Sequence, residues 1–249
     1  MKYHIDISLL PDETFDLPDP MTSNRSRASW KRKLGFNHQM IFPNKKNKDW
    51  NRRVSQLYKV LFDISGAQVL IDSSKNVKRA LLLKKLFDRK YTIKFLHITR
   101  DGRGVAHSYK KTHYTVAFPG HQFERFQRAE VLPVKDSSKI YAKINLRILL
   151  SLLMYTIPTE RRWIRYEDLC RHPEIVLKEM ADWLQVDLPR HDLRQFKQKT
   201  HHTVGGNPSR FNSQKIGLPF SGWKKTLSKE ELTVFMKNAR WINRIFGYK

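Results

Sequence analysis

An α/β domain with a parallel sheet flanked by helices is the fold class this sequence predicts, on three observations. Apolar β-rich runs at 67–71, 91–98 and 162–166 recur, and each leads through a turn into a stretch with helical spacing. Such strand–turn–helix units in succession call for parallel pairing. The 249 residues, 40% of them hydrophobic, suffice for one such domain with a buried core.

The elements follow in order. Tyr3, Ile5, Ile7 and Leu9 alternate with polar residues, which predicts a short strand. Residues 11–51 are rich in Pro, Asp, Asn and Lys and predict loop, with residues 1–52 as the least legible part of a single domain spanning 1–249. A helix is expected over 53–64, then through Ser65-Gly66 a strand at Ala67 to Ile71. Val77, Ala80, Leu81, Leu83, Leu86 and Phe87 form the apolar side of the next helix, before the strand at 91–98. Pro119-Gly120, Pro133 and interleaved charges predict a loop over 112–136, of the kind that shapes a substrate cleft. Ile140, Ile144, Ile148 and Leu152 mark a long helix, 162–166 a strand, and Pro173 the first turn of a helix. The stretch 227–246 reads as a closing helix packed back onto the sheet.

The charge is the loudest compositional feature: 48 Lys and Arg against 23 Asp and Glu give +25, which predicts attraction to polyanions without selecting one. Nucleotides, sulfated or uronic polysaccharide, nucleic acid and an anionic membrane surface all satisfy it, as does a basic protein with no polyanion partner. A lone cysteine, Cys170, rules out an internal disulfide framework and a zinc site built on several thiolates. No run approaches the ~20 apolar residues of a membrane span, and residues 1–10 carry charges where a signal peptide needs an apolar stretch. A cytoplasmic protein without a membrane span is the expectation.

The chemistry concentrates at Phe95-Leu96-His97-Ile98-Thr99-Arg100-Asp101-Gly102-Arg103-Gly104-Val105-Ala106-His107-Ser108. Arg100 falls at the carboxyl end of a strand and just before a helix start, where ligands of open α/β sheets bind. Helix N-terminal N–H groups attract anions, and an arginine beside them can grip a phosphate through two hydrogen bonds. The competing reading pairs Arg100 with Asp101 as a structural bridge and leaves Gly102 and Gly104 to relax a turn.

The pattern Arg-Asp-x-Arg-x-Val-x-x-Ser after an apolar strand resembles the 3'-phosphate motif of the sulfotransferases that use 3'-phosphoadenosine 5'-phosphosulfate. That resemblance implies that Arg100 and Ser108 hold the ribose 3'-phosphate. Three more stretches resemble the bacterial members in the same order: residues 65–75 ending Ile71-Asp72-Ser73-Ser74-Lys75, then Arg165-Tyr166-Glu167-Asp168-Leu169, then Gly205-Gly206-Asn207-Pro208-Ser209-Arg210-Phe211. By the resemblance, which covers about 53–249, Tyr166 lies near the adenine and Arg210 makes a second phosphate contact. The implied fold is the P-loop-NTPase-like sulfotransferase fold, and the implied co-substrate is 3'-phosphoadenosine 5'-phosphosulfate, with no metal.

Lys75 is the candidate for stabilising charge on the departing bridging oxygen, and Asp72 for the base that takes the acceptor's proton. Each has a plainer alternative. Asp72-Ser73-Ser74 also reads as the N-cap of the helix after it, Tyr166 as a tyrosine covering the core, and Arg210 as a solvated arginine. Glu167 and Asp168 are adjacent on the chain and point apart, which favours a structural role over a catalytic pair.

The sequence departs from the family at its start. Members carry a glycine-containing loop around the 5'-phosphosulfate, and nothing in residues 1–66 matches it; Leu10-Pro11-Asp12-Glu13 brings two carboxylates instead. The expectation is an N-terminally incomplete or divergent sulfotransferase that moves a sulfuryl group to a hydroxyl or amine of a small-molecule or carbohydrate acceptor. Lys110, Lys111, Arg125 and Arg128 lean that acceptor toward acidity. The alternative is a non-catalytic binder of nucleic acid or acidic polysaccharide. A nucleotide kinase is disfavoured, because no Gly-x-x-x-x-Gly-Lys-Ser/Thr run occurs.

Overall fold

The computed structural model describes residues 48–73, 76–87, 89–111, 113–118, 122–127, 131–187 and 222–249. The expected strand at 3–9 lies outside them. Two helices come first, α1 (Lys48–Ser65) and α2 (Val77–Phe87). Asn76 caps α2, its Oδ1 accepting the N–H of Lys78 at 3.0 Å and of Arg79 at 3.3 Å. Asp72 therefore does not serve as that cap, as its spacing had allowed. The two helices meet through Val54, Tyr58, Leu83 and Phe87.

β1 (Phe95–Thr99) leads into α3 (Gly102–Tyr109). Strands β2 (His113–Phe118) and β3 (Gln122–Gln127) then pair antiparallel in the register Phe118↔Gln122. The loop expected there is a hairpin, and the reason is visible in its composition: Tyr114, Thr115, Val116 and Phe118 all favour a pleated backbone. α4 (Val134–Tyr155) carries the chain back along the sheet, starting a turn and a half before the apolar stripe that announced it, immediately after Pro133. A short 3₁₀ turn, Pro158–Glu160, precedes β4 (Arg161–Arg165).

β4 pairs parallel to β1, with Phe95 opposite Arg161 and Thr99 opposite Arg165. Of the three strands expected in one parallel sheet, these two pair. Residues 67–71 run without a ladder among the described residues, and Ile71 is 83% exposed. A β-rich run becomes a strand only where a neighbouring backbone takes its N–H and C=O groups.

α5 (Tyr166–Arg171) and α6 (Pro173–Leu184) follow, α6 with Pro173 in its first turn. Tyr166, expected at a strand end, instead opens α5. After α7 (Trp223–Thr226), α8 (Lys229–Ile245) begins with a reciprocal cap: Ser228 Oγ accepts the Glu231 N–H while Glu231 accepts the Ser228 N–H.

The main core lies where α3, α4 and α8 meet, around Ala106, Tyr141, Phe235, Ala239 and Ile242. Phe246 and Tyr248 fold the tail back onto β1: Phe246 packs edge-on against His97 at 5.3 Å, and the Tyr248 hydroxyl reaches the Thr99 carbonyl at 3.1 Å. Among the described residues no helix is long and apolar enough to cross a membrane.

Candidate functional site

The turn between β1 and α3 is built from fixed peptide groups. Thr99 is 2% exposed and its hydroxyl donates to the Ile164 carbonyl of β4 at 3.2 Å. The Arg100 carbonyl accepts from the Tyr141 hydroxyl at 3.0 Å, and the Asp101 N–H donates to Glu167 Oε1 at 3.1 Å. The Gly102 N–H donates to Asn243 Oδ1 at 3.0 Å, and Asp101 caps the Arg103 N–H at 3.0 Å. The first N–H groups of α3 are thus spent inside the protein, so the helix terminus offers an anion less than its position promised.

The charge at this turn falls to Arg100. Asp101 pairs with Arg103, not with Arg100: two contacts from Nε at 3.0 and 3.1 Å and one from Nη2 at 2.8 Å. Arg103 also lies over Trp223, its guanidinium carbon 4.1 Å from the ring centroid. Arg100 makes no ion pair among the described residues; its guanidinium stands 5.4 Å from the centroid of the Tyr166 ring. On its other side is Gly104, where a Cβ would come 3.7 Å from Arg100 Nε and 3.8 Å from Nη2. Ser108 is four residues further along α3 and shares that face with Gly104. Arg100 is thus brought beside Tyr166 and the Gly104 face of α3, which Trp223 also lines.

His107 on α3 is held below its usual pKa by burial and by the charges of Lys111, Lys110 and Arg100, while its Nδ1 meets the Thr226 hydroxyl at 2.8 Å. Lys110 is anchored to Glu231 at 2.6 Å. The Tyr166 phenol is raised above its usual pKa, first by its hydrogen bond with the buried Cys170 thiol and then by burial, with Arg100 acting the other way.

Glu167 and Asp168 take structural parts. Glu167 bridges the Asp101 N–H and the Tyr248 hydroxyl, the latter at 2.6 Å, and Asp168 accepts Arg165 at 2.7 and 2.8 Å. Asp72 belongs to the α1–α2 corner, where its Oδ2 accepts both the Tyr58 hydroxyl and Arg79 Nε. Lys75, Arg210 and Arg128 lie outside the described residues, as does the side chain of Arg125.

Sequence reading missed Tyr141, Trp223, Asn243 and Tyr248. Asn243 carried a usable signal: it is a polar residue, 3% exposed, on the apolar side of α8 beside Ile242. A polar group at a core position needs a partner, and its partners turn out to be Gly102, Asp101 and Tyr141. Among the described residues no three His, Cys, Asp or Glu side chains gather to hold a metal ion.

No protein-family model matches the chain, and no curated protein does. Among solved structures, the chain is similar to the "Sulfotransferase Domain from the Curacin Biosynthetic Pathway", with a TM-score of 0.51 at 18% identity over 78% of this chain and 68% of that one. At this identity the likeness concerns the fold: the chain has a helix-rich, sulfotransferase-like fold around a small parallel pair of strands.

Proposed function

We propose that this protein is a sulfotransferase that takes a sulfuryl group from 3'-phosphoadenosine 5'-phosphosulfate to a hydroxyl or amine. The observation that carries the reading is Arg100: a guanidinium without an ion-pair partner among the described residues, at the carboxyl end of a parallel strand, beside the Tyr166 ring and Gly104 of the helix that bears Ser108. A phosphate fits there by chemistry, since arginine offers parallel N–H groups and serine a hydroxyl. Tyr166 offers a ring face to a purine.

The donor supplies an activated sulfur–oxygen bond. The acceptor's oxygen or nitrogen forms the new bond to sulfur as the bond to the bridging oxygen breaks, and adenosine 3',5'-bisphosphate leaves. The protein's part is to hold the nucleotide end through Arg100, Ser108, Tyr166 and Arg210, and to place positive charge where the leaving oxygen becomes anionic. Lys75 is the residue assigned to that charge. Asp72 is assigned to the acceptor's proton, on condition that its bonds to Tyr58 and Arg79 loosen.

Calorimetric titration with adenosine 3',5'-bisphosphate tests the reading. Saturable binding by the wild-type chain, lost in Arg100→Ala at the same salt, supports it and is followed by a transfer assay on neutral and acidic acceptors. No binding by a folded wild-type chain sinks it. The second reading then leads: a non-catalytic binder of acidic polysaccharide or nucleic acid, favoured by the +25 charge. Its mark is affinity that falls steeply with salt, as counterion release requires.

A further inference from the structure

The Arg100 turn is held from outside itself, by residues far along the chain. Glu167 ties the β1–α3 turn to the β4–α5 turn, because its Oε1 accepts the Asp101 N–H while its own backbone adjoins Tyr166. The tail then fixes Glu167: the Tyr248 hydroxyl lies 2.6 Å from Oε2 and 3.1 Å from the Thr99 carbonyl. From below, Asn243 accepts the Gly102 N–H and the Tyr141 hydroxyl on Oδ1, at 3.0 and 3.1 Å, and donates through Nδ2 to Asp101 at 3.2 Å. Four consecutive residues, 99–102, thus have a backbone group within hydrogen-bond distance of a side chain of another element, the single protons of the Tyr141 and Tyr248 hydroxyls being shared between two acceptors each.

We infer that Asn243 and Tyr248 are positioning residues for the Arg100–Tyr166 pair, making the C-terminal helix and tail a determinant of nucleotide affinity. Neither needs to touch the ligand. Arg100 and Tyr166 sit at the ends of two different strands, and their separation is set by how those two turns are locked together. Glu167 makes that lock, Tyr248 holds Glu167 in place, and Asn243 prevents the Asp101–Gly102 peptides from rotating. An arginine fixed before the ligand arrives loses less freedom on binding than one that must be gathered in. The nucleotide part of this inference rests on the function proposed above; the positioning part does not.

Two readouts separate them. The first is the Arg100 Nε–H resonance, identified by its loss in Arg100→Lys and displaced by the ring current of Tyr166. Tyr248→Phe, which keeps the ring and removes only the hydroxyl, is expected to move that resonance toward the position of a free arginine. Asn243→Leu is expected to do the same. The second is titration with adenosine 3',5'-bisphosphate, where Tyr248→Phe should weaken binding about tenfold, the equivalent of one hydrogen bond to a charged group. In an Arg100→Lys background Tyr248→Phe should weaken it no further.

Asn238→Ala is the control. It removes contacts of the same helix to Lys135 and Ser138 without reaching the turn, and should lower stability while leaving both readouts unchanged. An Arg100 resonance that stays in place in a folded Tyr248→Phe protein overturns the positioning role, and so does equal weakening by Asn238→Ala. A wild-type chain that binds no nucleotide removes the donor-site reading alone, and the resonance still decides the positioning role.

Discussion

Alanine at Gly102 and at Gly104 should change stability in opposite directions, although both glycines lie in the first turn of α3. A Cβ at Gly102 would meet Tyr141 Cε1 at 2.5 Å, Phe235 Cζ at 2.7 Å and Tyr141 Cδ1 at 2.8 Å. Ordinary carbon contacts are about 3.5–4.0 Å, so two rings must retreat by roughly 1 Å. Neither ring is free to do so. Phe235 is 0% exposed, and the Tyr141 hydroxyl is tied to Arg100 and Asn243. The cost belongs at the top of the overpacking range, about 3 kcal/mol, less up to ~1 kcal/mol for alanine's better helix propensity. A net loss of about 2 kcal/mol, or roughly 4–8 °C in Tm for a chain of this size, is expected.

At Gly104 the same methyl meets Trp223 Cδ1 at 3.6 Å and the Arg100 guanidinium at 3.7 and 3.8 Å, all ordinary contacts. Stability should rise by about 0.5–1 kcal/mol from helix propensity. On the proposed function nucleotide affinity should fall, because the methyl covers one side of the Arg100 guanidinium. Urea midpoints at a common slope measure the first effect and calorimetry the second. Equal shifts in midpoint for the two variants, or a Gly102→Ala protein within about 0.5 kcal/mol of wild type, would refute the close packing of α3 on Tyr141 and Phe235.

The remaining expectations are smaller. His97 is half-buried beside Asn145 and the Phe246 ring, and the burial it has pushes its pKa from 6.5 down to about 4. The unfolded chain therefore takes up a proton below pH 6.5 that the folded one refuses. Stability is whole above that pH and is lost as pH falls toward 4, by up to on the order of 3 kcal/mol. Urea midpoints at pH 7 and pH 5 should show the loss in wild type and a smaller one in His97→Leu; parallel profiles would contradict it. Lys84 and Glu160 pair at 2.6 Å with each side chain 17% exposed, joining α2 to the turn before β4. Lys84→Met should destabilise by about 1–2 kcal/mol, and a double-mutant cycle with Glu160→Gln should return a favourable coupling energy. Arg103→Lys keeps the charge but loses both the fork onto Asp101 and the stack on Trp223, so it should destabilise by about 1 kcal/mol in the same urea assay.

Helices were the legible part of this chain because their signals are local. Pro173 marks a start, and the spacing of Ile140, Ile144, Ile148 and Leu152 marks α4, although Pro133 was read as loop and the Ser228–Glu231 cap of α8 was passed over. Strands were less legible. Residues 67–71 have a strand's composition without a ladder partner among the described residues, whereas 113–118 were passed over and pair with 122–127. Pairing depends on what another segment presents, and composition within one segment does not report it.

The candidate site divides in the same way. The motif from Arg100 to Ser108 places an arginine at a strand end and a serine on the following helix, because strand, turn and helix are contiguous there. Sequence alone also determined the positive charge and the lone cysteine, since counting needs no contacts. Tertiary structure decided which arginine is available: Asp101 lies beside both Arg100 and Arg103 in the chain, and only the fold assigns it to Arg103 and turns Arg100 toward Tyr166. It also decided that Asn243 and Tyr248, more than 140 residues beyond the turn, hold its peptides in place. Such bonds form between groups that packing brings together, and separation along the chain carries no trace of them.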